Sequence, residues 1–358
     1  MRRLTAALLA ALMLAGLTGC SFQVESPDKA REVVQVIAMD TVMIFTTYGE
    51  KSTHAAFLAE DEARRLESLL SRTDGESAVS RLNGADGESV AVGEEVCGLL
   101  AAAESYARST DGAFDITIAP VVSAWGFTEE ENRVPSQSEL EALLPLVGPE
   151  HVTLAGDAAA LTPGTQIDLG GIAKGYASDR MAQILRENDI PRATMSLGGN
   201  VLTWGDRPDG TPWRVGIQDP KDAGNANAFV GMLNLTDAFA VTSGSYQRYF
   251  EENGKTYHHI IDPATGYPAD SGLTSVTVVA PCDREGADGS PGTGTMCDAL
   301  STALFVMGEE KALEFWRSGA YDFDMVLVTA DDRVVVTDGI ADSLTTFEES
   351  GYRYETVS

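Results

Sequence analysis

Cysteine is scarce in this chain of 358 residues, limited to Cys20, Cys97, Cys282 and Cys297. No two of them form a Cys-x-x-Cys pair, which excludes the common zinc and thiol-redox spacings. With Cys20 set aside the remainder is odd, so no disulfide framework is indicated. A Cys282–Cys297 bridge across the Gly/Pro-rich loop between them is one reading, and a small buried residue is the other for Cys297. Basic residues are also short: 25 Lys and Arg face 54 Asp and Glu, a formal net charge of −29. Nucleic acid as a partner is thereby excluded, since phosphate backbones need a basic footprint. An anionic membrane surface is equally disfavoured. An anionic nucleotide would need local help from a metal, a lysine or backbone amides. Beyond Leu17 no apolar run is long enough to span a bilayer. Solenoid repeats and regular βαβ alternation are missing too.

What is present begins with a processing signal. Arg2 and Arg3 precede the almost wholly apolar run Leu4 to Leu17, and Leu17-Thr18-Gly19-Cys20 has lipobox form. Residues 1–19 read as a lipoprotein signal peptide, Cys20 as the lipidation site, 20–32 as a tether and 33–358 as one large domain. The expected location is the outer face of the cytoplasmic membrane or the periplasm, with the membrane met through the lipid anchor alone. An ordinary signal peptide with a chance cysteine is the alternative.

Hydrophobic periodicity predicts strands at Val33–Tyr48 and helices at Ser52–Leu70 and Gly93–Ser109. Ser136-Gln137-Ser138-Glu139 is a capping box opening a short helix to Leu146. Further strands are expected near 165–169, 194–204, 213–217, 229–235, 238–242, 274–280, 325–329 and 334–337. Helices are expected near 172–188, 297–307 and 309–317, and a flexible insertion at 286–294. The mixture predicts an α+β fold.

Several segments carry candidate chemistry. In Ile167-Asp168-Leu169-Gly170-Gly171-Ile172-Ala173-Lys174-Gly175 a strand runs through two glycines into a helix. Unpaired amides, the helix dipole and Lys174 would suit a phosphate there. It is no Walker A loop, and a plain turn with a surface lysine is the alternative. Asp298 and Thr302 stand at i, i+4, two hard oxygen donors on one helical face that suit Mg²⁺, unless Asp298 merely caps the helix. Of His258 and His259 one at most can face a site if they lie on a strand. Asp262-Pro263 with Gly266 reads as turn chemistry. Phe114 is a ring for a flat ligand or plain core, and Gly198-Gly199 a ligand approach or a bulge. Ser243 lacks a nucleophile elbow.

Taken in order, Ser77-x-x-Ser80-Arg81-Leu82-Asn83, Gly112-Ala113-Phe114-Asp115, Ile167 to Gly175, Leu197-Gly198-Gly199-Asn200, Thr242-Ser243-Gly244, His259-Ile260-Ile261-Asp262-Pro263 and Asp298-x-x-x-Thr302 resemble the FAD:protein FMN transferase (ApbE) family. The resemblance spans about Met39 to Gly308. It implies a T-fold-like core with a smaller packed α/β lobe, and FAD as substrate. It implies Mg²⁺ on Asp298, Thr302, Ser301 and the carbonyl of Gly171. The implied FAD contacts are Met39, Thr73, Ala113, Phe114, Asp115, Asp168, Lys174 and Ile260. His259 and Lys174 are the implied catalytic groups. FMN would pass to a Ser or Thr hydroxyl of an exported or membrane redox protein, with release of AMP. Two departures stand out: Thr73 where many members carry a Tyr, and Asp40 where Gly is usual. An FAD pyrophosphatase and a non-catalytic flavin-binding lipoprotein are the competing readings.

Overall fold

The computed structural model describes residues 30–127 and 131–358. Cys20, the signal peptide and most of the expected tether lie outside the described residues. The scaffold is one nine-stranded sheet. Its strands are β1 (Arg31–Ala38), β2 (Thr41–Tyr48), β3 (Arg192–Leu197), β4 (Asn200–Trp204), β5 (Ala238–Gly244), β6 (Leu273–Pro281), β7 (Asp324–Thr329), β8 (Arg333–Thr337) and β9 (Arg353–Val357). Each lies beside its predecessor in the chain, and all pairs are antiparallel except β8 with β9. The sheet thus bears out the α+β expectation. β1 starts at Arg31, so the last two residues of the expected tether, Arg31 and Glu32, already belong to the sheet.

Alternation along the strands sends two sets of side chains to two faces. One face carries Val34, Val36, Met43, Phe45, Met195, Leu197, Leu202, Val241, Val276 and Val278 into the main core. Helices α1 (Ser52–Leu70), α2 (Ala78–Asn83), α3 (Glu94–Ser109), α4 (Ala119–Trp125), α5 (Gln137–Leu143), α6 (Ala173–Glu187) and α7 (Thr293–Arg317) lie among the excursions between strands. α1, α6 and α7 supply Ala55, Ala59, Ala63, Leu66, Met181, Leu185, Ala299 and Leu300 to this core. Fully buried side chains such as Phe45 and Leu66 each contribute about 1.5–3 kcal/mol by leaving water. On the other face a small sheet of 213–218, 229–235 and 344–346 covers β5 to β8 through Val230, Leu233, Ala240, Val279, Val326 and Val334.

α1 matches its expected bounds, because its small and apolar residues recur at helical spacing. The expected strand 194–204 is instead two strands turning at Gly198 (φ +61°) and Gly199 (φ +105°), a hairpin rather than a bulge. The expected strand 165–169 is an extended segment without a strand partner. Asn83 takes the partner's place: its Nδ2 donates to Ile167 O at 2.9 Å and its Oδ1 accepts from Ile167 N at 2.8 Å. Asp168 N donates to the Ile116 carbonyl.

α7 begins at Thr293, four residues ahead of expectation, and breaks at Gly308 (φ +79°) between its two expected halves. The early start has a tertiary cause. Buried Asp179 on α6 accepts from Gly292 N, Gly294 N, Thr295 N and Thr295 Oγ1 at 2.5–2.9 Å. Burial pushes its carboxyl up to about 6 against those four donors. The end of the expected flexible insertion is therefore strapped down. Cys282 and Cys297 are free thiols, not a bridge. Burial pushes the Cys282 thiol up to about 12 and Cys297 far above its ordinary value, so both are unreactive packing residues. No helix among the described residues is long and apolar enough to cross a membrane.

Candidate active site

A cleft of about 1220 Å³ opens on the second face of the sheet. Its floor is Ser196, Val201, Ala240, Thr242 and Thr277, and the Met39–Asp40–Thr41 turn, the end of α1, the start of α6 and the side of α7 form its rim. Of the implied site residues, Met39, Thr73, Ala113, Phe114, Asp115, Asp168, Gly171, Lys174, His259, Ile260, Asp298 and Thr302 all line it. Ser301 does not. It is fully buried, donating to Asp298 O at 2.9 Å and paired with Ser243 Oγ at 2.8 Å. Helical geometry explains the difference. Successive residues turn by about 100°, so position 301 falls on the opposite side of Asp298 from position 302.

Asp298 is not the cap of its own helix, whose N-cap is Gly292. It caps another: its Oδ2 accepts from Gly175 N, in the first turn of α6, at 2.7 Å. That approach depends on two glycines. A Cβ on Gly175 would lie 2.3 Å from Gly294 O and 2.5 Å from Asp298 Cβ. Two amides at the α6 start are accordingly already engaged. Ala173 N bonds to Leu169 O and Gly175 N to Asp298. Lys174 supplies the positive charge instead, with Nζ 3.0 Å from Gly170 O and 4.0 Å from Asp298 Oδ1.

The remaining polar groups are positioned as follows. Asp168 Oδ1 accepts from Gly170 N at 2.7 Å and Oδ2 pairs with Arg72 Nη1 at 3.1 Å. Arg72 also reaches Ser123 Oγ. Asp115 lines the cleft, but one of its oxygens holds Thr117 N and Thr117 Oγ1, capping a short turn, and burial raises its carboxyl. Met39 (φ +51°) and Asp40 (φ +58°) are both left-handed, the geometry of a two-residue hairpin turn. Glu67 Oε1 steadies the turn by accepting from Met39 N at 2.9 Å. Thr73 is exposed at the rim. Arg72 and Glu67 escape sequence reasoning because their partners lie far away in the chain.

The two histidines divide as strand geometry requires. His258 packs edge-on against Phe305 with Nε2 on Ala269 O. His259 faces the cleft, with Nδ1 3.2 Å from the Arg248 carbonyl. A carbonyl only accepts, so Nδ1 carries the proton and Nε2 keeps a free lone pair. Burial, then the neighbouring Arg248, His258 and Lys174 charges, lower its pKa to about 4 despite that hydrogen bond. His259 is thus a neutral imidazole from mildly acidic pH upward. If it takes a proton in the reaction, the acid limb of kcat/KM falls near pH 4, and a limb near 6.5 would assign that role elsewhere. Stability moves with the same sign. The unfolded chain binds the proton first, so stability is full above about 6.5 and declines as pH falls towards 4.

Among the described residues no three His, Cys, Asp or Glu side chains cluster for a metal. The local donors are instead one carboxylate, Asp298, the Thr302 hydroxyl and the Gly171 backbone. A Cβ on Gly171 would come 3.6 Å from Thr302 Oγ1, which shows how closely they approach. A small hard cation that keeps waters and takes substrate phosphates fits so few protein ligands. Ser243 Oγ sits 3.3 Å from Thr302 Oγ1.

A largely antiparallel sheet carrying a cleft, with a lysine and hard oxygen donors at its rim, defines an α+β enzyme. The chain belongs to the ApbE family, whose profile matches residues 39–327. It is similar to the FAD:protein FMN transferase of Klebsiella pneumoniae (strain 342), 35% identical over 278 residues that cover 76% of this chain and 82% of the relative. The FAD:protein FMN transferase of Escherichia coli (strain K12) is 33% identical over 328 residues, covering 87% and 88%. The crystal structure of the ApbE protein from Thermotoga maritima matches with TM-score 0.75 at 34% identity, covering 89% of this chain and 98% of that one.

Proposed function

We infer that this chain transfers the FMN half of FAD to a Ser or Thr hydroxyl of an acceptor protein, releasing AMP. The observation that carries this reading is a cleft that gathers Lys174, Asp298, Thr302 and His259 while, among the described residues, neither Ser243 nor a cysteine is available in it as a nucleophile. Ser243 Oγ is engaged by the hydroxyls of Ser301 and Thr302. None of Cys97, Cys282 and Cys297 lines the cleft. The attacking oxygen therefore comes from outside. It forms a phosphoester with the FMN phosphorus while the bond to the bridging oxygen breaks, and AMP leaves with that oxygen. Nε2 of His259 takes the hydroxyl proton, and Lys174 holds a pyrophosphate oxygen.

Asp298, Thr302 and the Gly171 carbonyl would hold Mg²⁺, which when bound offsets charge on the pyrophosphate. Met39, Ala113, Phe114 and Ile260 give the flavin and adenine apolar contacts, and Thr73, Asp115 and Asp168 line their polar edges. With FAD, Mg²⁺ and an exported redox subunit, intact mass should show the acceptor gaining one FMN group with AMP in equal amount. Free FMN and AMP with an unmodified acceptor, across several such subunits, would favour the pyrophosphatase, for which exposed Thr73 adds no stacking ring at the rim. The lipobox around Cys20 supports an exported, lipid-anchored protein. Palmitate should label the native chain and not Cys20→Ala; equal labelling would remove the anchor.

A further inference from the structure

Among the described residues, nothing covers one end of the sheet face that carries the cleft. Cross-strand register runs from the cleft floor outward: Val201 lies opposite Ser196, Ser196 opposite Ile44, and Ile44 opposite Gln35. Beyond the floor the same face presents Ile44, Val42, Val33 and Ile37, which are 42%, 44%, 44% and 73% exposed. These are four of the six large exposed hydrophobics among the described residues. Single exposed apolar residues are ordinary, but a contiguous group bordering a cleft marks a contact surface.

The same residues sit on an open edge. β1 ends the sheet. Gly49 N donates to Ala30 O, so by antiparallel alternation Glu32, Val34 and Val36 bond to β2. Val33, Gln35 and Ile37 then point their N–H and C=O groups outward. Edges are normally blocked by proline, a bulge or an inward charge. Arg31 to Ala38 pairs with β2 in unbroken register, and its outward-facing positions from Val33 to Ile37 carry neither proline nor charge. Ile37 is two residues from Met39, on the cleft rim.

We propose that this edge and apron dock the acceptor polypeptide, which adds an extended strand to β1 and delivers its hydroxyl to the cleft past the Met39–Asp40 turn. The proposal rests on the transferase reading. Main-chain pairing would supply affinity for varied acceptors, and alternate apolar side chains on the apron would set the register. A lipid surface would meet the side chains but leave the main-chain row unpaired, and the chain's acidic charge opposes anionic bilayers.

The test compares Ile37→Asp and Gln35→Pro with the wild type. The second removes one outward N–H and no bond to β2. The acceptor is the apo form of an exported flavoprotein subunit that the wild type labels. Both variants should raise the acceptor KM by about tenfold or more, while FAD affinity and melting temperature stay near wild type. In the wild type the acceptor should slow amide exchange at Val33, Gln35 and Ile37. An unchanged acceptor KM in both variants overturns the docking proposal alone. So does weakened FAD binding in both, which would make the apron structural. A wild-type dimer lost in Ile37→Asp, or binding to phosphatidylcholine vesicles lost in both variants, with KM unchanged, reassigns the face to a second copy or to lipid. If the wild type labels no acceptor but releases FMN and AMP, the transferase reading falls and takes this proposal with it.

Discussion

Asp298→Asn should lower kcat on the order of 10³-fold, the rate equivalent of about 4 kcal/mol of transition-state stabilisation. The substitution is chosen because Asp298 has two jobs. Its Oδ2 accepts from Gly175 N and holds the start of α6. Its Oδ1 faces the cleft, 4.0 Å from Lys174 Nζ. An asparagine oxygen can still accept from Gly175, so the helix contact survives, and only the charge offered to a cation is lost. The melting temperature should therefore change little while Mg²⁺ affinity, read by calorimetry with FAD present, falls sharply. A variant with wild-type turnover and Mg²⁺ dependence would leave Asp298 as a cross-helix cap and nothing more.

Gly175→Ala should do the converse, disturbing the frame before the chemistry. Alanine is the better helix former by about 1 kcal/mol. Here its Cβ would sit 2.3 Å from the Gly294 carbonyl, which belongs to backbone and cannot rotate aside. α6 and α7 must separate, and overpacking of this kind typically costs about 1–3 kcal/mol. The bond from Gly175 N to Asp298 would stretch as well, so turnover should fall with stability. Gly98→Ala is the internal control. Gly98 also lies within a helix, but a Cβ there meets nothing within 4 Å. That substitution should stabilise by roughly 0.5–1 kcal/mol. A thermal melt reads both. If the two variants shift in the same direction, the close approach of α6 and α7 is not what fixes the site.

What could be read from the sequence was what local pattern encodes. Phe229–Leu235 keeps its expected bounds because it is a nearly continuous apolar run of strand length. The break at Gly308 was legible as an interruption between two apolar helical stretches. The hairpin 249–258 was not, because its strands are only four residues each and their one apolar pair, Phe250 and Tyr257, is recognisable only once Trp125 is seen packed against it. α2 is six residues long and is recognisable only once Ser77 is seen accepting from Ser80 N. Thr293 to Met296 reads as loop by composition and becomes helix because Asp179, from another helix, binds its amides. The site followed the same division. Asp298 and Thr302 were visible as a local i, i+4 pair, whereas Arg72 meets Asp168 across 96 positions and no local signal links them.

The order of the nine strands also governs how the molecule can be divided. Hairpins such as β1–β2, β3–β4 and β7–β8 need only neighbouring sequence. β2 meets β3 only after the chain has travelled from Tyr48 to Arg192, and that excursion carries the rim from Glu67 to Lys174. A fragment ending at Pro281 would keep six of the nine strands and most of the floor, yet lack Asp298 and Thr302. Loop closure of that length is slow relative to local pairing. Nascent chains should thus hold preformed hairpins well before any ligand-binding surface exists, and proteolysis within the β6–α7 connection should abolish ligand capture while leaving much of the scaffold's pairing in place.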